Sequence, residues 1–293
     1  MPSLLDLPHH AISRILFERW KIDSKYTYIL SILYTCKQLY YDHYYVLFLL
    51  APLVLGKATT ATSSKSLHKL AETGVNCKIK SVYFVQPTKA IIQQTEMFST
   101  LVSVSISTSL NDLLSIVYKL PSSVTELSLC VTKNGMRSRP PETVLPAFKL
   151  KKLTFKSICC IRRSNFFSFY DTIKGPLTKN VTDLKYYKRH SPGRVVCNLL
   201  SQLIQDNIST LVSLEMETIN LDQLWFSLKD NIPNNNNKIA VIRVNHMATN
   251  LEVVAEIIKI CKEIHYTNNL LGYKWIWWQN EDRTLMQKVV ATK

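Results

Sequence analysis

The sequence predicts a mixed α/β chain: a small all-helical module at the N-terminus, then strand–helix units stacked as an irregular solenoid with a curved parallel sheet. Three observations predict it. One short apolar phrase recurs down most of the chain, helical periodicity fills the gaps between its copies, and the first fifty residues carry helical periodicity alone. The boundaries follow as 1–55 for the helical module, 56–78 for a linker or transition, and 79–293 for the solenoid.

The N-terminal elements come first. Pro8 suits the first turn of a helix, where a missing N–H costs nothing, and Ile12, Ile15 and Leu16 follow at i, i+3 and i+4, so a helix is expected from about Pro8 to Trp20. Asp23 or Ser24 is a candidate cap for a second helix whose apolar side carries Ile29, Leu33, Cys36 and Tyr40, and Asp42 for a short third. Three short helices cannot bury so many large side chains on one another, which assigns part of that surface to a partner.

The phrase that follows reads apolar, two variable, apolar, one variable, apolar. It occurs at Ile79-Val82-Phe84, Leu101-Val104-Ile106, Val124-Leu127-Leu129, Leu150-Leu153-Phe155, Val181-Leu184-Tyr186, Leu211-Leu214-Met216 and Ile239-Ile242-Val244. Successive starts lie 22, 23, 26, 31, 30 and 28 residues apart, and Tyr273 to Trp277 reads as a worn eighth copy. Period-two alternation within each phrase is that of a short strand with one buried face. Between phrases the period turns helical: Ile91, Ile92, Thr95 and Phe98; Leu113, Leu114, Val117 and Tyr118; Val196, Leu199, Leu200, Leu203 and Ile204; Leu221, Leu224, Trp225 and Leu228; Val253, Val254, Ile257, Ile258 and Cys261. Asn220 and Asn250 stand at expected N-caps. The absence of a Gly-rich phosphate loop after any strand argues against the competing doubly wound α/β fold. Loops are expected at 57–66, at 132–146 with Asn134-Gly135 and three prolines, and at 231–238 with its four consecutive Asn.

The N-terminal segment resembles the F-box, the helical module that attaches substrate receptors to the Skp-type adaptor of cullin-based ubiquitin ligases. The matching positions are Leu7, Pro8, Ile12, Ile15, Leu16, Leu30, Leu33, Cys36, Lys37, Leu39, Leu47 and Phe48. His10 stands where the family commonly has an acid, Leu39 replaces a frequent Trp, and Lys21 to Lys25 carries extra polar residues. The resemblance implies adaptor binding through Leu7, Pro8, Ile12, Ile15, Leu16, Leu30, Leu33, Cys36 and Leu39. The repeats resemble the long leucine-rich repeats that follow the F-box in many receptors, although the family's Asn or Cys eight residues after the first Leu is missing: Thr132, Ile158, Ile219 and Met247 occupy it in four units. Leu120 to Leu127 and Pro176 to Leu184 are similar to the FNIP repeats of amoebal proteins. The pairing implies a substrate receptor of a ubiquitin ligase, with a Skp-type adaptor, a cullin complex and a protein target as partners.

Charge points to the target. The chain carries a net +15, and from Lys133 to Arg194 there are fifteen Lys/Arg against three acids. A one-sign field attracts acidic partners and salt weakens it. In a solenoid the strands line the concave face, so Lys149, Lys151, Lys152, Lys156, Lys185, Lys188 and Arg189 are the candidate residues for an acidic or phosphorylated target. The alternative is a repeat scaffold without a ligase role that binds nucleic acid or an acidic protein through the same segment, aided by Trp275, Trp277 and Trp278 as a stacking platform. The simpler reading of those tryptophans is a cover for the end of the solenoid.

Residue chemistry offers no enzyme. The six glycines make no phosphate cradle, and the seven cysteines lack the paired spacing of a disulfide frame or a zinc site. Adjacent His9 and His10 point about 100° apart on a helix, which suits no metal. Cys159-Cys160 lies beside Arg162-Arg163 but has no nearby base in sequence. No metal or cofactor is expected. Asn180-Val-Thr182 and Asn207-Ile-Ser209 match glycosylation sequons, which have no role in a cytosolic chain. The longest apolar run, Val46 to Leu55, is too short to span a bilayer, and no signal peptide is visible, so the expected setting is cytoplasm or nucleus without membrane.

Overall fold

A computed structural model describes residues 7–23, 32–33, 37–43, 52–56, 71–72, 74–133, 148–156, 179–187, 194–222, 225, 229, 239–246, 251–268 and 271–291. Eleven strands among them belong to one sheet whose order is that of the chain. The chain divides into two compact units, Met1–Val104 and Ser105–Lys293, each described in turn.

In the first unit, helix α1 (His9–Asp23) begins as Pro8 predicts, with the Pro8 carbonyl accepting the N–H groups of Ala11 and Ile12. It carries Ile12 and Leu16 inward. Helix α2 (Lys37–His43) contributes buried Leu39 and His43, and the His43 ring lies 3.3 Å from the Ser13 hydroxyl of α1. Asp42 lies inside α2, and the residues of the expected third helix lie outside the described residues. Strand β1 (Leu53–Gly56) pairs parallel with β2 (Ser81–Val85), Leu53 opposite Val82 and Leu55 opposite Phe84. The stretch 1–55 is therefore not all-helical, because its last residues are the start of the sheet. Gly56 is required by close backbone approach: a Cβ there would sit 2.4 Å from the Val85 carbonyl oxygen. Within 56–78, the single-turn helix Val75–Lys78 buries Val75. Helix α3 (Lys89–Gln93), capped by the Thr88 hydroxyl, buries Ile91 and Ile92, and Thr95 and Phe98 complete that face as its spacing predicted.

Strand β3 (Ser103–Ser109) spans the boundary between units and leads into α4 (Leu110–Val117). The Ser109 hydroxyl accepts the Asp112 N–H and donates to the Asp112 carboxylate, a compact N-terminal cap. In the second unit β4 (Glu126–Lys133), β5 (Lys152–Lys156), β6 (Asp183–Tyr187), β7 (Ser213–Asn220), β8 (Ile239–His246) and β9 (Cys261–Asn268) pair parallel in succession. Helix α5 (Arg194–Asn207) buries Leu200, Leu203 and Ile204; α6 (Leu251–Ile257) buries Val254 and Ile257. Strands β10 (Tyr273–Gln279) and β11 (Leu285–Ala291) then add antiparallel.

The phrase explains this ladder. All three apolar residues of each of the seven copies are buried. Leu127, Leu153, Leu184, Leu214 and Ile242 stand opposite one another strand by strand, as do Leu129, Phe155, Tyr186, Met216 and Val244. Each such side chain contributes roughly 1.5–3 kcal/mol when removed from water, and stacking unit on unit is what removes it. A second device recurs at the strand entrances. The carbonyl just after the first phrase residue accepts two successive N–H groups of the next unit: Thr125 from Lys151 and Lys152, Lys151 from Thr182 and Asp183, Thr182 from Val212 and Ser213, Val212 from Ala240 and Val241.

Strand order without reversal removes the switch point of a doubly wound fold. The sheet has a covered and a wet face: along β5 and β6 buried residues alternate with half-buried or exposed ones. The eighth copy is not Tyr273 to Trp277, which lies in an antiparallel strand. It is Cys261-Ile264-Tyr266, with Ile264 opposite Ile242 and Tyr266 opposite Val244; Cys261 is thus strand, not the end of a helical face. Thr132 and Lys133 continue β4, so that expected loop starts two residues later at the earliest; 57–66, 134–146 and 231–238, like Asn250, lie outside the described residues.

Candidate functional site: an N-terminal helix face and a basic strand rim

Two surfaces hold the residues singled out by sequence. On α1, Ile12 and Leu16 are buried, as are Leu33 and Leu39, so their apolar surface serves the fold. Leu7 at 39% exposure and Ile15 at 43% stay outside, with Pro8 also exposed. Of the described residues that the F-box resemblance singles out for adaptor binding, only Leu7 and Pro8, just before α1, and Ile15 on it are exposed. Leu30 and Cys36 lie outside the described residues.

The lysines of the second unit separate into two chemically different sets. On the wet sheet face, one cross-strand row runs Glu126, Lys152, Asp183, Ser213, Val241, Glu263, and the next runs Ser128, Thr154, Lys185, Glu215, Arg243, His265. Opposite charges alternate along both rows, which is why their lysines are neutralised in place. Lys152 Nζ lies 2.7 Å from Glu126 Oε1, a hydrogen bond that, with the Glu126 charge, holds the ammonium above its ordinary range. Lys185 Nζ lies 2.7 Å from Glu215 Oε2 and is likewise raised, chiefly by that hydrogen bond. The Tyr187 hydroxyl donates to Glu215 Oε1 at 2.8 Å. Burial alone pushes the Glu215 carboxyl up, yet the hydrogen bonds from Lys185 and Tyr187 and the charges of Lys185 and Arg243 together hold it below its usual value. Arg243 Nη1 donates to Ser213 Oγ at 2.7 Å. His265 Nε2 sits 2.6 Å from Glu263 Oε2; burial pushes the imidazole below its ordinary value, against the pull of that carboxylate, and Lys274 and Arg243 add repulsion.

The second set lies at the strand entrances. Lys149 and Lys151 flank buried Leu150 before β5, both exposed and without an ion pair among the described residues. Lys179 has the same character before β6, and sequence reasoning passed over it because it sits in the gap before a phrase. Lys156 is exposed at the far end of β5. Lys188 and Arg189 lie outside the described residues.

The turn carrying Lys179 is fixed by a residue that sequence offered only as a sequon. Asn207, 3% exposed, accepts the Val181 N–H at Oδ1 and donates to the Leu203 carbonyl. Asn180 in that turn has φ 64°, a left-handed conformation that asparagine tolerates. At the end of the sheet, Trp277 is 1% exposed, Trp275 packs 5.1 Å from Tyr266, and Lys288 Nζ lies 5.7 Å over the Trp278 ring. This is a packed end cover in which the three rings do not form an open stacking platform.

Among the described residues, no cluster of three His, Cys, Asp or Glu is placed to hold a metal, and no helix is long and apolar enough to cross a membrane. Comparison with protein-family models, with curated proteins and with solved structures returned no match to this chain.

Proposed function

We propose that this chain is a non-enzymatic substrate receptor of a cullin-based ubiquitin ligase, acting in cytoplasm or nucleus. Its N-terminal helices form an F-box-like hook for a Skp-type adaptor, and its second region is a leucine-rich-repeat-like solenoid that holds a protein target. Such a receptor accelerates transfer by raising the effective concentration of target lysines near the conjugating enzyme, so it needs no reacting side chain of its own.

The observation that best supports the reading is the unbroken register of the last two phrase residues from β4 to β8. Stacked repeat units of this kind serve as extended recognition surfaces, and such a surface preceded by exposed Leu7 and Pro8 and by a helix with exposed Ile15 matches the order of a docking receptor. The packing of Trp277 and Trp275 gives the nucleic-acid scaffold less support, because base stacking needs open ring faces.

Affinity purification of the intact chain from cells with mass spectrometry tests the proposal. Skp-type adaptor and cullin peptides are expected, and their loss on Leu7→Asp with Ile15→Asp. A wild-type sample without adaptor defeats the reading.

A further inference from the structure

The geometry points to the strand-entrance rim of β5 and β6, built from Lys149, Lys151 and Lys179, as the docking site for an extended acidic segment of a partner protein. This deepens the receptor reading by naming the chemical class of its target, and it relocates the site from the sheet face to the sheet's N-terminal edge.

Three observations carry it. First, charge is segregated. Lys152 lies between Glu126 and Asp183 in its row and Lys185 beside Glu215, so the face lysines already have anions, whereas Lys149, Lys151 and Lys179 have none among the described residues. An incoming carboxylate gains most from the ammonium groups it does not have to win from a neighbour. Second, the rim is preorganised. The Lys151 carbonyl accepts the N–H groups of Thr182 and Asp183 and the Thr182 hydroxyl, and Asn207 pins Val181 from beneath, so the two entrances carrying the lysines are locked side by side. A fixed backbone under mobile ammonium groups reduces what must be ordered on binding. Third, the scale suits a peptide. Neighbouring strands lie about 4.8 Å apart while an extended chain advances about 3.3 Å per residue, so a run of roughly three or four acidic residues crosses both entrances within reach of all three side chains.

The test is fluorescence anisotropy on the full chain, using a labelled peptide of consecutive glutamates, a glutamine peptide of equal length and a single-stranded thymidine oligonucleotide, each at two salt concentrations. The glutamate peptide is expected to bind in a salt-weakened manner and the glutamine peptide not to bind. Lys149→Glu, Lys151→Glu and Lys179→Glu together are expected to weaken it at least tenfold, and the Gln versions of the same triple, which keep a neutral surface, by a smaller factor. Lys152→Gln with Lys185→Gln is expected to leave it within about threefold, since those groups are already paired. Equal loss in the rim and face variants overturns the assignment, as does an oligonucleotide that binds more tightly than the peptide. Adaptor capture measured on the rim triple separates the two ideas: capture retained with peptide lost supports both, and peptide binding without adaptor in the wild type leaves the rim standing while removing the ligase role.

Discussion

Asn207 shows how one side chain holds an entrance in place. Its amide satisfies a donor and an acceptor that water cannot reach, so Asn207→Ala is expected to cost about 1–3 kcal/mol, read as a lower urea midpoint with unchanged slope. Sequence alone marks Asn207 only as a sequon, because nothing local says that the last turn of α5 will lie beneath the entrance of β6, the strand before it. His265 makes a pH prediction. Its folded-state value is depressed, so the fold favours the neutral ring; the stability this gives is present above the unfolded value of about 6.5 and is lost as pH falls through that value toward the folded one. His265→Gln is expected to flatten the unfolding free energy over that window. Glu215, also depressed, acts lower: its contribution is present above about 4.5 and disappears as pH falls further.

At the scale of elements, the strands were legible because their signal is local. The spacing of Ile79 to Val244 located seven strands, and every one of those apolar residues is buried. Two further copies fit the same phrase and were missed: Leu50-Leu53-Leu55, masked by its position at the end of a helical pattern, and Cys261-Ile264-Tyr266, masked by the helix just before it. In both cases a 3.6-residue pattern overlaps the first phrase residue, and periodicity cannot say which period wins. The antiparallel end was hidden differently, since β10 reads as another alternating strand and direction leaves no local trace. If the tryptophan strand is a structural cover, Trp277→Ala should cost about 3–5 kcal/mol, seen in thermal or urea unfolding. Likewise Gly56→Val should destabilise the β1–β2 pair, because the backbone of Val85 occupies the space that its side chain needs.

For the whole molecule, length and charge describe a strongly basic folded chain, and the rows of the sheet face show what charge counting leaves out. Lys152 and Lys185 belong to the excess in sequence but are answered by Glu126 and Glu215 one strand away, a pairing that depends on register. The N-terminal helix is similarly half legible: its spacing places Ile12, Ile15 and Leu16 together, yet only folding decides that Ile12 and Leu16 turn inward and Ile15 outward. The proposed receptor role requires this outward surface to hold an adaptor. Isothermal titration of the purified full chain with a purified Skp-type adaptor tests it most directly. One-to-one binding at about 1 μM or tighter is expected, abolished by Leu7→Asp with Ile15→Asp while the unfolding midpoint is retained. No heat of binding at tens of micromolar, or equal binding by the double variant, contradicts it.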